Sequence, residues 1–145
     1  MDTMTAISIP QILQARGLRP SPQRVAVYKY LCNEKSHPSV DMIFTALAPE
    51  YPTLSRTTIY QTLESLCECG LAMKLTVEAD EMRFDAEMFN HGHFKCTQCG
   101  RLFDVRYPEG LVFPWPDVGF LVKQMHLYYH GICPACRFSE TDTTP

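Results

Sequence analysis

The sequence has 145 residues, of which 46% are hydrophobic and 20% are charged, proportions that are ordinary for a folded globular protein. No apolar run approaches the roughly 18 residues of a membrane span, and the N-terminus lacks the basic and apolar regions of a signal peptide. We therefore expect a cytoplasmic protein. The net charge of −3 does not favour nucleic acid as a partner, but residues 1–75 are nearly neutral, with seven Lys/Arg against six Asp/Glu.

Helical patterning dominates the first half of the chain. Three serines stand where N-caps are expected, and the first of them precedes a proline, which favours the first turn of a helix. Gly70 is suited to end the last helix. The pattern predicts a short helix around residues 9–18 and three longer helices that begin at Ser21, Ser39 and Ser55 and end near residues 33, 48 and 69.

From Leu71 the pattern becomes β-rich. Residues 71–77 and 82–85 predict two short strands joined at the polar tip 78–81. Three helices followed by a hairpin are the arrangement of a winged-helix domain, whose last helix enters the major groove of DNA. The alternative is a small helical domain with a hairpin and another function, because propensity alone does not separate the two.

The second half of the chain is predicted to form a small sheet. Three β-rich segments, 93–96, 101–107 and 120–133, predict its strands. The predicted fold class is therefore α+β, with a winged-helix DNA-binding domain at 1–86, a hinge at 87–90 and a small α/β domain with a three-stranded sheet at 91–145.

Two Cys-x-x-Cys pairs in the second half are the strongest chemical signal. Four thiolates satisfy the tetrahedral preference of zinc, and a site without an open position is structural rather than catalytic. A redox dithiol is the rival interpretation, but the surrounding pattern is not the βαβ pattern of thioredoxin-like proteins. The predicted zinc ligands are Cys96, Cys99, Cys133 and Cys136.

The other three cysteines, Cys32, Cys67 and Cys69, lie on predicted helices without a spacing partner. A small buried hydrophobe is the interpretation for Cys32. A metal shared by Cys67 and Cys69 is not expected, because residues two apart on a helix point in different directions.

Histidines and aspartates form a second pattern. His91 and His93 begin a predicted strand, where residues two apart project from the same face and can meet one ion. Asp85, Asp104 and His37 lie nearby in the predicted elements. Imidazole and carboxylate together suit Fe(II), Mn(II) or Zn(II), although surface histidines are the common alternative. The same choice between a peripheral metal site and plain exposure applies to His126 and His130, which are four apart on a predicted strand.

Over essentially its full length the sequence resembles the ferric uptake regulator (Fur) family. The matching motifs are LRPSPQR at 18–24, HPS at 37–39, SRTTIY at 55–60, RFD at 83–85, HGHFKCTQCG at 91–100 and GICPAC at 131–136. The resemblance implies a homodimeric transcriptional repressor rather than an enzyme, with the second domain serving dimerisation. It also implies a regulatory metal, Fe2+ or Mn2+, beside the structural Zn2+, with His37, Asp85, His91, His93 and Asp104 as ligands.

The resemblance further implies that metal binding sets the angle between the two halves and so the spacing of the two recognition helices on operator DNA. The predicted recognition helix is the one that begins at Ser55, and its residue Gln61 can pair with adenine. The predicted DNA-contacting residues are Arg56, Thr57, Thr58, Tyr60 and Gln61.

Within the family the chain is most similar to the peroxide-sensing members (PerR), which carry an aspartate at the position of Asp104, where iron sensors usually carry glutamate. Asn90 and Gly92 replace the residues of an extra metal site in iron sensors. The resemblance implies that Fe(II) and peroxide oxidise His37 or His91, after which metal and DNA are released. The alternatives are a sensor of iron, zinc or manganese availability and a small non-haem metalloenzyme.

The segment 108–118 departs from the family pattern, which places a dimerisation helix there. Pro114 and Pro116 cannot continue a helix, so we expect this helix to be shortened or absent. Phe113 and Trp115 then serve either as dimer contacts or as core residues.

Overall fold

A computed structural model describes residues 7–34, 36–76, 81–87, 91–122 and 125–140. The chain divides into two compact units, an N-terminal unit up to residue 88 and a C-terminal unit from residue 89. None of the helices found in these ranges is long and apolar enough to cross a membrane. The elements are α1 (Ile9–Ala15), α2 (Pro22–Asn33), α3 (Val40–Leu47), α4 (Arg56–Glu68), β1 (Met73–Leu75), β2 (Arg83–Asp85), β3 (His91–Cys96), β4 (Leu102–Arg106), β5 (Tyr128–Gly131) and α5 (Pro134–Glu140).

The helices of the N-terminal unit begin at serine caps. In α2, α3 and α4 the hydroxyl of Ser21, Ser39 or Ser55 accepts a hydrogen bond from the backbone N–H three residues later. Each such cap contributes about 1 kcal/mol by satisfying a backbone donor that the helix leaves open. The predicted starts of these three helices are confirmed. A fourth capping serine, Ser8, starts α1 in the same way.

The core of the N-terminal unit lies between the helices and the hairpin. Strands β1 and β2 pair antiparallel, with Leu75 opposite Arg83. Residues 78–80 of the predicted hairpin tip and residue 77 of the predicted strand before it lie outside the described residues. Burying one face of α4 in this core leaves the opposite face outward, as in a winged-helix domain. The fully buried side chains include Leu13, Val27, Ile43, Ile59, Leu63, Leu66, Leu75 and Phe84.

The C-terminal unit is built on a three-stranded sheet in the order β4-β3-β5. Strand β3 pairs antiparallel with β4 and parallel with β5. Gly92 of β3 allows the backbone of Leu127, just before β5, to come close, because a Cβ at position 92 would lie 3.0 Å from the carbonyl oxygen of Leu127. The predicted α+β fold class with a three-stranded sheet is confirmed.

The third strand is shorter than predicted. The sequence predicts a strand over 120–133, whereas β5 spans Tyr128–Gly131. A strand needs a neighbour for its backbone groups, and β3 pairs with β5 only from His93 to Cys96. Helix α5, which follows the second cysteine pair, is absent from the sequence-based prediction.

An apolar segment at residues 111–121 lies on the surface of the C-terminal unit. The described residues between β4 and β5 contain no helix, as Pro114 and Pro116 predict. Phe113 is half-buried and its ring lies 5.0 Å from that of Tyr107. Trp115 is 65% exposed, so the core-filling interpretation of this residue is wrong. The large exposed side chains of the segment are Leu111, Val112, Trp115, Val118, Phe120 and Leu121.

Candidate metal centres and nucleic-acid interface

The four predicted zinc ligands converge in the C-terminal unit. Parallel pairing places Cys96, the last residue of β3, opposite Gly131 in β5. Cys99 follows in a turn, Cys133 comes two residues after β5, and Cys136 lies in α5. Their four sulfurs lie within 4.8 Å of one another. The sheet thus turns two distant Cys-x-x-Cys pairs into one cluster.

The geometry of this cluster fits zinc. A tetrahedron with metal–sulfur bonds of about 2.3 Å has sulfurs about 3.8 Å apart, and Cys99 Sγ lies 3.9 Å from Cys133 Sγ. The backbone N–H groups of Cys99 and Cys133 donate to Cys96 Sγ, at 3.5 and 3.3 Å. These bonds lower the pKa of Cys96 to about 6. They favour the thiolate, which is the form that binds metal.

In the N-terminal unit two predicted regulatory ligands lie side by side. His37 Nε2 is 3.5 Å from Asp85 Oδ2, and the His37 side chain is only 4% exposed. The backbone N–H of Glu87 donates to Asp85 Oδ1 at 2.8 Å, which orients the carboxylate. A buried imidazole beside a held carboxylate offers one nitrogen and one oxygen donor of the kind that divalent metals accept.

The turn that carries His37 is held by β2. His37 has a positive φ of 56°, a conformation that few non-glycine residues adopt. Arg83 Nη1 donates to the carbonyl oxygen of His37 at 3.3 Å and contacts Met42 Sδ at 3.0 Å. The backbone N–H of Phe84 donates to the carbonyl of Pro38 at 3.1 Å. Arg83 belongs to a family motif, but sequence reasoning gave it no role in holding His37.

In the C-terminal unit His91, His93 and Asp104 form a second group. His91 and His93 lie two apart on β3, and β4 brings Asp104 opposite His93. The Nε2 atoms of the two histidines are 3.6 and 3.5 Å from Asp104 Oδ1. Both imidazoles are buried, and their ring centroids are 4.7 Å apart. The strand pattern therefore presents two imidazoles and one carboxylate on the same face.

Each group fits a divalent ion of the Fe(II), Mn(II) or Zn(II) type. Ligand atoms about 2.1 Å from one ion are roughly 3.0–3.7 Å apart when the angle between their bonds is 90–120°. The distances from His37 to Asp85 and from His91 and His93 to Asp104 fall in that range. Imidazole and carboxylate are the donors that such ions accept.

The peripheral pair His126 and His130 does not share a strand face. His126 precedes β5, so the alternation predicted for the pair does not apply. His126 Nδ1 instead forms a hydrogen bond with the Tyr128 hydroxyl at 3.1 Å. Burial lowers the pKa of His126, and nearby His93 lowers it further.

The predicted DNA-contacting residues differ in their availability on α4. Thr57, Tyr60 and Gln61 are exposed. The hydroxyl of Thr58 is bonded to that of Ser55 at 2.9 Å. The guanidinium of Arg56 is paired with Asp41 of α3 and lies 4.1 Å from the centre of the Phe44 ring.

Comparison with known proteins agrees with this arrangement. Residues 15–112 match the sequence profile of the Ferric uptake regulator family. The Peroxide-responsive repressor PerR of Staphylococcus aureus is 36% identical over 135 residues, which cover 90% of this chain and 89% of that protein.

Solved structures share the fold. The Campylobacter jejuni peroxide stress regulator is 27% identical with a TM-score of 0.63, over 87% of this chain and 97% of that one. The Vibrio cholerae ferric uptake regulator is 18% identical with a TM-score of 0.63, over 86% of this chain and 98% of that one. With its winged-helix unit, its cysteine cluster and its histidine–aspartate groups in the positions that the motifs predict, the chain belongs to the ferric uptake regulator family.

Proposed function

We propose that the chain is a homodimeric, metal-dependent transcriptional repressor that senses hydrogen peroxide through oxidation of its histidine ligands. The observation that carries the proposal is the convergence of two buried imidazoles, His91 and His93, on the carboxylate of Asp104. The relation to the Staphylococcus aureus repressor supports the peroxide response. Zn2+ in the cysteine cluster supports the C-terminal unit, and the regulatory ion is Fe2+ or Mn2+.

The regulatory ligands come from both units. His37 and Asp85 belong to the N-terminal unit, and His91, His93 and Asp104 belong to the C-terminal unit. An ion that takes ligands from both binds best to one arrangement of the units, and so favours that arrangement over all others. In a dimer this selects one spacing of the two α4 helices, which is the spacing that DNA half-sites require.

Hydrogen peroxide abolishes the preference for this arrangement by oxidising one of the histidine ligands. If these histidines and aspartates hold Fe(II), the ion would supply the one-electron chemistry that activates hydrogen peroxide. Overall, one imidazole, that of His37 or His91, gains an oxygen atom and is oxidised by two electrons, and hydrogen peroxide is reduced to water. The oxidised ring donates more weakly to metal. Loss of that ligand removes the preference for the DNA-binding arrangement.

The DNA surface is the outward face of α4. Thr57, Tyr60 and Gln61 are exposed there, and the amide of Gln61 can donate to N7 of an adenine and accept from its N6 amino group in the major groove. The second copy of the chain covers the apolar segment 111–121, whose exposed side chains include Trp115 and Phe120. A contiguous apolar surface of this kind marks an interaction site.

The proposal is tested with operator DNA selected by the manganese-loaded protein from a random pool of duplexes. Fe(II)- and Mn(II)-loaded protein are each titrated against this DNA before and after hydrogen peroxide. We expect the iron form to lose affinity and to gain one oxygen on the peptide with His37 or His91, and the manganese form to keep its affinity. Light scattering on the same samples gives the number of subunits.

Two results would replace the proposal. Operator binding that follows free metal and ignores peroxide would make the chain a sensor of iron, zinc or manganese availability. Failure of the metal-loaded protein to select any duplex would remove the repressor function and leave a metalloprotein of another class.

A further inference from the structure

Arg56, the first residue of the proposed recognition helix α4, forms an ion pair with an acidic residue of the same chain. Arg56 Nε lies 2.5 Å from Asp41 Oδ1. The guanidinium also lies over the ring of Phe44, 4.1 Å from its centre. Asp41 and Phe44 both belong to α3, so the helix before the recognition helix holds the arginine at two points.

Arg56 is the only basic residue in α4, whose sequence RTTIYQTLESLCE also contains two glutamates. One of these, Glu64, is paired with Lys74 of β1. Binding to DNA gains most of its affinity from cations that displace counterions from phosphates. The helix has one basic and two acidic residues, and with Arg56 paired to Asp41 its single cation is not available to phosphate.

The pair lies on the face that would meet DNA. A groove of about 510 Å³ is lined by Asp41, Arg56, Thr57 and Tyr60, with Glu81, Met82 and Phe84 of the hairpin region. Side chains of Arg56 and Asp41 are 59% and 72% exposed. The other acid of the groove, Glu81, is paired with Arg83 at 3.2 Å. Asp41 is therefore the acid that competes with phosphate for Arg56.

We propose that Asp41 limits DNA affinity by holding Arg56 away from phosphate, so that Arg56 positions α4 against α3 instead of contacting DNA. This inference rests on the proposed DNA-binding function of α4. An exposed pair of this kind is only weakly stabilising, so a single charge change can release the arginine. A single substitution on α3, at Asp41, should therefore increase the affinity for DNA.

The test uses full-length manganese-loaded protein and a mixed-sequence duplex, because the effect is on phosphate contacts and needs no operator. Asp41→Asn is expected to bind about threefold to tenfold more tightly at low salt than the unmodified protein. The slope of log affinity against log salt should also become steeper by about 0.9, the value of one added phosphate contact. A residue that only stabilised the fold would not change that slope.

Glu50→Gln is the matched control, since it removes the same charge from an exposed site that is not paired with Arg56. It should leave the slope unchanged. Arg56→Gln should cost less than twofold in the unmodified protein and cancel the gain in the Asp41→Asn background.

Three results separate the possibilities. If Asp41→Asn binds no more tightly and with the same slope, the inference is overturned while the proposed function stands. A large loss for Arg56→Gln in the unmodified protein would also overturn it, because Arg56 would then already contact phosphate. If neither the unmodified protein nor Asp41→Asn binds duplex DNA, the proposed function fails and this inference fails with it.

Discussion

The two sets of metal ligands are built in opposite ways. The cysteine cluster lies within the C-terminal unit, and its four sulfurs already approach the spacing of a zinc tetrahedron. The proposed histidine and aspartate ligands are divided, with two in the N-terminal unit and three in the C-terminal unit. Both sets use ordinary donors for first-row metals.

The difference separates a structural role from a regulatory one. A metal whose ligands all belong to one unit stabilises that unit and does not depend on where the other unit lies. A metal whose ligands come from two units gains affinity only when the units are suitably arranged, so its binding and their arrangement are linked. The proposed function depends on this linkage.

The largest effect is expected from Cys96→Ser. Zinc in such clusters contributes on the order of 10 kcal/mol of apparent binding free energy, which is more than a small sheet can lose. The variant should contain no zinc by elemental analysis, and the thermal unfolding of the C-terminal unit should shift to much lower temperature. The N-terminal unit has its own buried core and should keep its helical circular dichroism.

Cys32→Ser is the control for this change. Cys32 is a half-buried thiol of α2, outside the cluster, and its replacement should leave the zinc content unchanged. Full zinc content and an unchanged melting temperature in Cys96→Ser would mean that the cluster is not the structural site.

The cysteine cluster is also easier to predict from the sequence than the histidine and aspartate set. The spacing of the cysteines indicates a four-sulfur site without any knowledge of the fold, because each Cys-x-x-Cys pair is local. The serine caps are equally local, and Ser21, Ser39 and Ser55 predict helix starts that the structure contains. Local signals of this kind depend on a few neighbouring residues, and they can therefore be predicted from the sequence without the fold.

Contacts between distant residues could not be predicted in the same way. The bond from Arg83 to His37 joins residues 46 apart in the chain, and the pair of Arg56 with Asp41 joins residues 15 apart. The third strand was predicted too long because its length depends on how much of β3 remains to pair with it. In each case the outcome is set by tertiary packing, which periodicity does not contain.

A smaller effect is expected from Arg83→Met, which tests the proposed histidine and aspartate ligands. Arg83 holds the backbone of His37 in its positive-φ turn, and loss of such support around a metal ligand costs about 10- to 100-fold in metal affinity. The variant should bind Mn(II) more weakly by that factor in a competition titration, with its zinc content unchanged. A normal Mn(II) affinity would show that the turn is held without Arg83.

Arg101→Met provides the comparison, because Arg101 is exposed in the turn region after the first cysteine pair. This variant loses the same charge and should keep both metals. If both variants weakened Mn(II) binding equally, the effect would come from net charge and not from the support of His37.

The smallest effect concerns a cysteine outside both sets. Burial raises the pKa of Cys67 to about 11 from an ordinary value of 9.0, and Glu64 beside it adds to the shift. At pH 8 this lowers the thiolate fraction about 100-fold, but a more basic thiolate is more nucleophilic by about tenfold, so alkylation should be about tenfold slower than that of a free thiol. Quantitative mass spectrometry of the peptide with Cys67, compared with glutathione in the same tube, measures the ratio.

The same shift predicts how stability depends on pH. Because the folded pKa of Cys67 lies above the unfolded one, the native state keeps a proton that the unfolded chain loses, and stability falls as the pH rises from about 9 to about 11. Cys67→Ala should remove part of that fall in the N-terminal unit. A Cys67 that reacts as fast as glutathione would mean that this half-buried thiol is more exposed in solution than the structure shows, and that its pKa is not raised.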